Sequence, residues 1–216
     1  MPELRVRGAA SDLFRILDPR RFVARDEFGW TSDGPVEILL EGPAGTGKTT
    51  GLMAGVFWLC ENFPNIRVLL VRLVRKDLDD SHLKAFEEVL PVGHAVLRGC
   101  RREGRQRYQF PNGSELVVKG MNRPSGMYST QYDVVVIGEA FELAGARGED
   151  TYQQFYRATR NNKLPNSRHY IISDTNPAEQ THWLNRRAKD GLMIRLRSQH
   201  VDNPALYRVD GSLTGY

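Results

Sequence analysis

The chain has 216 residues, 40% of them hydrophobic and 26% charged, with 30 Lys and Arg against 26 Asp and Glu for a net charge of +4. That size and balance suit one sizeable globular domain. The charge is too small to argue by itself for a polyanionic partner. No apolar run approaches the length of about 18 residues that a membrane span needs, and the N-terminus lacks an apolar signal segment. Cys60 and Cys100 lie far apart with no CxxC or Cys/His metal spacing, which fits a reduced, cytosolic setting.

Residues 1–35 read as an N-terminal arm. It is basic, with Phe14, Phe22, Phe28 and Trp30 among the charges, and a short helix is expected over Asp12 to Leu17, ended at Asp18-Pro19. The arm either packs on the edge of the domain or uses its aromatics and arginines to wall an adenine pocket. Thr31-Ser32-Asp33-Gly34-Pro35 is a turn cluster that launches the first strand, and the main domain is expected over residues 36–200.

Val36 to Glu41 predicts a buried strand and Lys48 to Glu61 a helix. Between them runs Gly42-Pro43-Ala44-Gly45-Thr46-Gly47-Lys48-Thr49, which matches the Walker A pattern G-x-x-x-x-G-K-[ST]. Three glycines let the backbone turn sharply and aim successive N–H groups at phosphate oxygens. The N-terminus of the following helix, with Thr50 in its first turn, adds unpaired N–H groups and the positive end of its dipole. Lys48 is suited to neutralise β- and γ-phosphates, and the Thr49 hydroxyl to hold Mg²⁺.

Ile66 to Val71 predicts a second continuous apolar strand, so strand, loop, helix and strand make one βαβ unit. Arg72 and Arg75 follow it, and a helix capped by Asp77 is expected from about Leu78 to Leu90. Residues 92–120 then read as an antiparallel insertion, with a hairpin turn at Pro111-Asn112-Gly113-Ser114 leading into Glu115 to Val118. Its loop holds Arg98, Arg101, Arg102, Arg105 and Arg107. Such a run is either a solvated face or a tip that touches DNA phosphates or a neighbouring subunit's ATP.

Asp133 to Ala140 delivers an acid, Glu139, at the C-terminal end of a β-branched strand, where ligands sit in open α/β sheets. Glu139 is suited to polarise an attacking water. The position before it, commonly an Asp that serves Mg²⁺, is Gly138; Asp133 lies at the wrong end of the strand to replace it. A helix is expected over Thr151 to Arg160 and a strand over Arg168 to Ser173, running into Asp174-Thr175-Asn176-Pro177. Asn176 either bonds γ-phosphate or lytic water, or closes an Asx-turn. Pro177 is expected to begin a helix through Arg187. Leu192 to Leu196 reads as a last strand, and residues 201–216 as a polar tail.

Together these motifs resemble the ATPase domain of the phage terminase large subunit. The likeness is carried by the phosphate loop and Glu139 strand, and by four further stretches. These are Val71 to Ser81, Phe110 to Leu116 with Gly120, Ser173 to Pro177 with His182-Trp183-Leu184, and Asp202-Asn203-Pro204-Ala205-Leu206. The resemblance implies an α/β P-loop NTPase of the ASCE/RecA-like kind, with a mainly parallel sheet, helices on both faces and a hairpin insertion. It implies an ATPase that uses ATP and Mg²⁺ to drive double-stranded DNA into a procapsid. Its partners would be the portal protein and the small terminase subunit, and it would work as a homo-oligomeric ring, commonly a pentamer, in the cytoplasm of the infected host. Residue by residue, it implies nucleotide contacts from Gly42 to Thr50 together with Arg72 and Arg75, with Lys48, Glu139 and Asn176 as catalytic residues and Thr49 on the metal. The trans-acting arginine is unassigned among Arg101, Arg102, Arg105 and Arg123, with Arg123 favoured because it precedes the acid-ended strand. No nuclease activity is expected, since the family's nuclease domain would follow Tyr216. Two other readings compete: a helicase-like or PhoH-like nucleic-acid-dependent ATPase, and a nucleotide-binding switch with little turnover.

Overall fold

The computed structural model describes residues 6–20, 34–98, 106–122, 127–177 and 179–214. Among them, β1 (Val36–Glu41), β2 (Arg67–Arg72), β3 (Arg107–Gln109), β4 (Glu115–Gly120), β5 (Val134–Ile137), β6 (Tyr170–Thr175) and β7 (Ile194–Arg197) form one sheet in the order β3-β4-β2-β5-β6-β1-β7. Every neighbouring pair is parallel except β3 with β4. The helices are α1 (Ala9–Leu17), α2 (Lys48–Asn62), α3 (His82–Val89), α4 (Gly145–Ala158) and α5 (Trp183–Lys189).

Continuous apolar runs make these strands central, because a strand covered on both faces has no side for polar residues. Alternate residues feed two cores. Ile38, Leu40, Val68, Leu70, Val134 and Val136 pack with Leu13, Leu52, Val56 and Phe86 of α1, α2 and α3. Leu39, Leu69, Val71, Val135, Ile137 and Ile171 pack against Tyr152, Phe155, Trp183 and Leu184 of α4 and α5. Helices therefore cover both faces, as expected. α1 lies so close to α2 that a Cβ on Gly51 would come within 2.7 Å of the Ala10 Cβ.

Several local expectations differ from the structure. β1 and β2 are not neighbours, because β6 and β5 pair between them. The chain after Pro111 turns tightly: Asn112 donates to the Cys60 carbonyl at 2.7 Å and pins the turn to the end of α2. β4 then joins the main sheet beside β2, so the hairpin extends the sheet's edge. A 3-10 turn, Arg75–Leu78, replaces the start of the expected third helix. There the Ser81 hydroxyl donates to the Asp77 carbonyl at 2.6 Å, and α3 begins only at His82. Likewise α5 begins only at Trp183, capped by His182, whose ring accepts from the Leu184 N–H. Proline at 177 bends the chain without starting that helix. α4 starts earlier than expected, at Gly145.

Behind the sheet, Glu37 is fully buried and forms a two-pronged pair with Arg187 of α5, at 2.6 and 3.0 Å. Burial pushes the Glu37 carboxyl above its usual value, and Arg187 opposes that push. Removing one partner of such a pair abandons a charge in the core. Arg187→Ala is expected to cost about 3–5 kcal/mol of stability by chemical denaturation. The deficit narrows at acid pH, because a carboxyl with a raised folded-state pKa takes up its proton more readily in the folded chain.

Candidate nucleotide and metal site

Because β1, β2, β5 and β6 are parallel, their C-terminal ends share one edge of the sheet, and the predicted chemistry gathers there. The loop after β1 carries the phosphate-loop pattern. Gly45 and Gly47 sit at φ 80° and 81°, a left-handed backbone that side chains with a Cβ resist. Gly42 presses against the Ser198 carbonyl, leaving no room for a Cβ. Pro43 and Ala44 lie exposed at the loop's tip, while Thr46 is buried and donates to the Pro43 carbonyl at 3.2 Å. Thr50 is exposed in the first turn of α2.

Lys48 is 7% exposed, and its ammonium reaches the Pro43 carbonyl at 3.3 Å and Asn176 Oδ1 at 3.0 Å. Asn176 follows β6 directly, so that strand carries the side chain that holds the lysine. The Thr49 hydroxyl donates to Asp174 Oδ2 at 3.0 Å. Asp174 is fully buried. Its other oxygen takes the Glu139 backbone N–H at 3.1 Å and pairs with His82 Nε2 at 2.9 Å. Burial opposes charge on both Asp174 and His82, but their attraction wins: the acid is held below its ordinary pKa and the imidazole above it.

Glu139 occupies a left-handed conformation, φ 47° and ψ 54°, unusual for a residue with a side chain and a form of strain found at functional sites. Its Oε2 is buried with no hydrogen-bond partner among the described residues. Burial, then the Asp174 charge, raise its carboxyl pKa; Lys48, Arg72 and His82 pull the other way, which puts Glu139 and Lys48 within one electrostatic cluster. Arg72 is committed to Glu142, at 2.7 and 3.2 Å, and to the Asp77 carbonyl. Arg75 pairs with Asp79 at 2.8 Å. Asp133, at the far end of β5, accepts from the Arg67 and Lys163 backbones and from Asn161, a structural role. Arg123, Arg101, Arg102 and Arg105 lie outside the described residues, whereas Arg98 and Arg107 are described and exposed.

Sequence reasoning missed Asp174 and His82. The available signal for Asp174 was an acid at the end of the apolar run Tyr170 to Ser173, one strand removed from the phosphate loop. His82 had none, since nothing local places it against Gly138. The tail was also missed as a contact: Asn203 donates to the Gly45 carbonyl at 2.7 Å, so the segment after β7 touches the loop's turn. The donor set suits Mg²⁺, which takes hard oxygens and keeps waters and phosphates for the rest of its shell. Among the described residues no three His, Cys, Asp or Glu side chains form a ready-made cage.

A model of the phage terminase large subunit family matches residues 36–210. Comparison with curated protein sequences gives no match. In fold, the chain is similar to the large terminase of a thermophilic bacteriophage in complex with ADP, with a TM-score of 0.68 at 13% identity over 94% of this chain and 48% of that one. The same terminase in complex with ATP-gamma-S gives 0.64 at 13% identity, covering 94% and 47%. The large terminase of bacteriophage HK97 gives 0.52 at 11% identity, covering 88% and 44%. The chain thus spans about half the length of these terminases. With 36–210 matched and the sheet carrying the phosphate loop and acid at one edge, the chain belongs to the phage terminase large subunit family and has the fold of its P-loop ATPase domain.

Proposed function

We propose that the chain binds ATP with Mg²⁺ and hydrolyses it as the motor domain of a DNA-packaging terminase, coupling turnover to movement of double-stranded DNA into a procapsid. The single observation that carries the chemistry is the Glu139 carboxylate, strained in backbone, with one buried oxygen unpartnered among the described residues, in the same electrostatic cluster as Lys48. Complexes of the thermophilic phage's terminase with ADP and ATP-gamma-S support the choice of nucleotide.

The residues divide the work. The left-handed glycines of the loop and the N-terminus of α2 present N–H groups to phosphate oxygens, and Lys48 adds a compact positive charge. Glu139 orients the attacking water and accepts its proton. A carboxylate whose pKa is raised is a better base than a solvated one. Asn176 holds the Lys48 ammonium from β6 and so senses what that ammonium binds. When bound, Mg²⁺ neutralises charge on the phosphates, and Thr49 is the loop's ligand for it. The family reading supplies a ring of copies, commonly five, at the portal, with the small terminase subunit and duplex DNA as partners. An arginine from a neighbouring copy completes the site, and such a group is worth on the order of 10³–10⁵ in rate. Hydrolysis by the lone chain is therefore best followed in single-turnover format.

Lys48→Ala is expected to weaken binding of a fluorescent ATP analogue about tenfold or more, the loss of one charge-assisted contact. Glu139→Gln is expected to bind the analogue like wild type and to lower single-turnover hydrolysis by about 10²–10⁴. Equal, measurable hydrolysis in wild type and Glu139→Gln would remove the base, whereas normal nucleotide affinity with no hydrolysis in either would indicate a nucleotide-binding switch. Duplex DNA, supplied with portal protein, is expected to stimulate turnover; stimulation by RNA alone would instead indicate a different P-loop motor.

A further inference from the structure

We propose that Asp174 supplies the carboxylate of the metal site in this chain, and that His82 both seats it and fills the space in which a side chain at position 138 would stand. The proposal rests on the reading of the phosphate loop as a nucleotide site. In P-loop NTPases generally, Mg²⁺ is held jointly by the loop's Ser or Thr hydroxyl and by an acid, which places the two side by side. In this chain the residue before the catalytic glutamate is Gly138, and the structure gives a steric reason. A Cβ there would lie 2.7 Å from His82 Cε1, 2.8 Å from Nε2 and 3.2 Å from Nδ1. The imidazole is 1% exposed, held by Asp174 at 2.9 Å and by the Ser81 hydroxyl at 3.2 Å, so it has nowhere to retreat. An acid at 138 and a histidine at 82 exclude each other.

The carboxylate has moved one strand sideways. β5 and β6 run in parallel register with Ile137 opposite Ser173, which brings Asp174 level with Gly138. From there Asp174 Oδ2 accepts from the Thr49 hydroxyl at 3.0 Å, which puts a carboxylate beside the loop's metal ligand. Its Oδ1 is taken by His82 and by the Glu139 N–H. That arrangement locks the carboxylate plane and leaves Oδ2 as the oxygen directed at Thr49. A neutral amide could keep two of these bonds on its oxygen and donate its NH2 to the Thr49 hydroxyl oxygen in place of the third. Burying a charge costs several kcal/mol beyond that, even with a partner, so a buried carboxylate is better explained by a task that needs the charge. The transfer also frees Glu139: with the metal served from β6, the glutamate keeps for water an oxygen that has no partner among the described residues. Since no cage of three or more His, Cys, Asp or Glu side chains exists among the described residues, the metal arrives with nucleotide.

The test reads metal binding directly. Mn²⁺ is titrated into the full chain saturated with ADP and followed by electron paramagnetic resonance, while ADP binding is measured separately in EDTA. For Asp174→Asn the expected result is a fall in Mn²⁺ affinity of about 10–100-fold, with ADP still bound in EDTA. Wild-type Mn²⁺ affinity in a folded Asp174→Asn chain would overturn the assignment. If wild type fails to bind ADP at all, the nucleotide reading falls instead. Returning the acid to its usual place, as Gly138→Asp with His82→Ala in the Asp174→Asn background, is expected to restore Mn²⁺ binding; a folded triple variant without recovery refutes the exchange of space. A crystal of wild type with Mn²⁺ and ADP needs no variant. It is expected to show an Asp174 oxygen on the ion or on a water bound to it, and a shell lacking both would defeat the proposal.

Discussion

The structure depends on one buried carboxylate. Asp174 is joined to the start of α2 through Thr49, to the start of α3 through His82, and to the end of β5 through the Glu139 N–H. Three segments separated by long stretches of chain are thereby tied at the edge of the sheet where the phosphate loop turns. A carboxylate can do this because it offers several acceptor directions, and each bond it takes strengthens the case for keeping its charge in a low-dielectric place. His82 balances that charge at 2.9 Å, so the carboxylate is not an isolated ion.

Strand order makes the unit possible. With β6 between β1 and β5, the strand that carries Asp174 and Asn176 touches the strands that deliver both the phosphate loop and Glu139. β6 thus stands between the strands that lead to Lys48 and to Glu139, each neighbour about 4.8 Å away. The same central strand supplies Asp174 to the Glu139 backbone N–H and leads into Asn176, which holds Lys48. The Glu37–Arg187 pair does comparable work on the far end of β1, anchoring α5 against the sheet.

Much of this was legible in the sequence. Val36–Glu41 shows as a strand because an uninterrupted apolar run between turn residues has few other fates, and the glycines of residues 42–47 announce a backbone that ordinary residues resist. Glu139 is legible because an acid closing a β-branched strand stands where parallel sheets expose their ends. What local pattern cannot encode is adjacency. Nothing between Val36 and Arg72 reveals that two later strands pair between β1 and β2. Gly138 likewise looks like a missing acid until His82, far back in the chain, is seen filling its place. Helix starts depart from the local pattern where side chains intervene: Ser81 bonding back to Asp77 delays α3, and Pro177 marks a bend that propensity alone would read as a first turn.

The loop is held from two further directions, and this bears on how a change at the nucleotide would spread. Lys48 is shared between the Pro43 carbonyl and Asn176, so any anion that claims the ammonium must take it from the segment after β6. The Gly45 carbonyl accepts from Asn203, so any movement of the glycine turn is felt by the segment after β7. These two segments leave neighbouring strands on either side of β1 and continue into α5 and into the tail. Loop, helix and tail are thus linked by single side-chain hydrogen bonds, each worth about 0.5–1.5 kcal/mol, or up to about 3 where the lysine's charge takes part. Bonds of that size hold a resting arrangement, yet are weak beside what an anion offering the lysine several charged oxygens at once would supply.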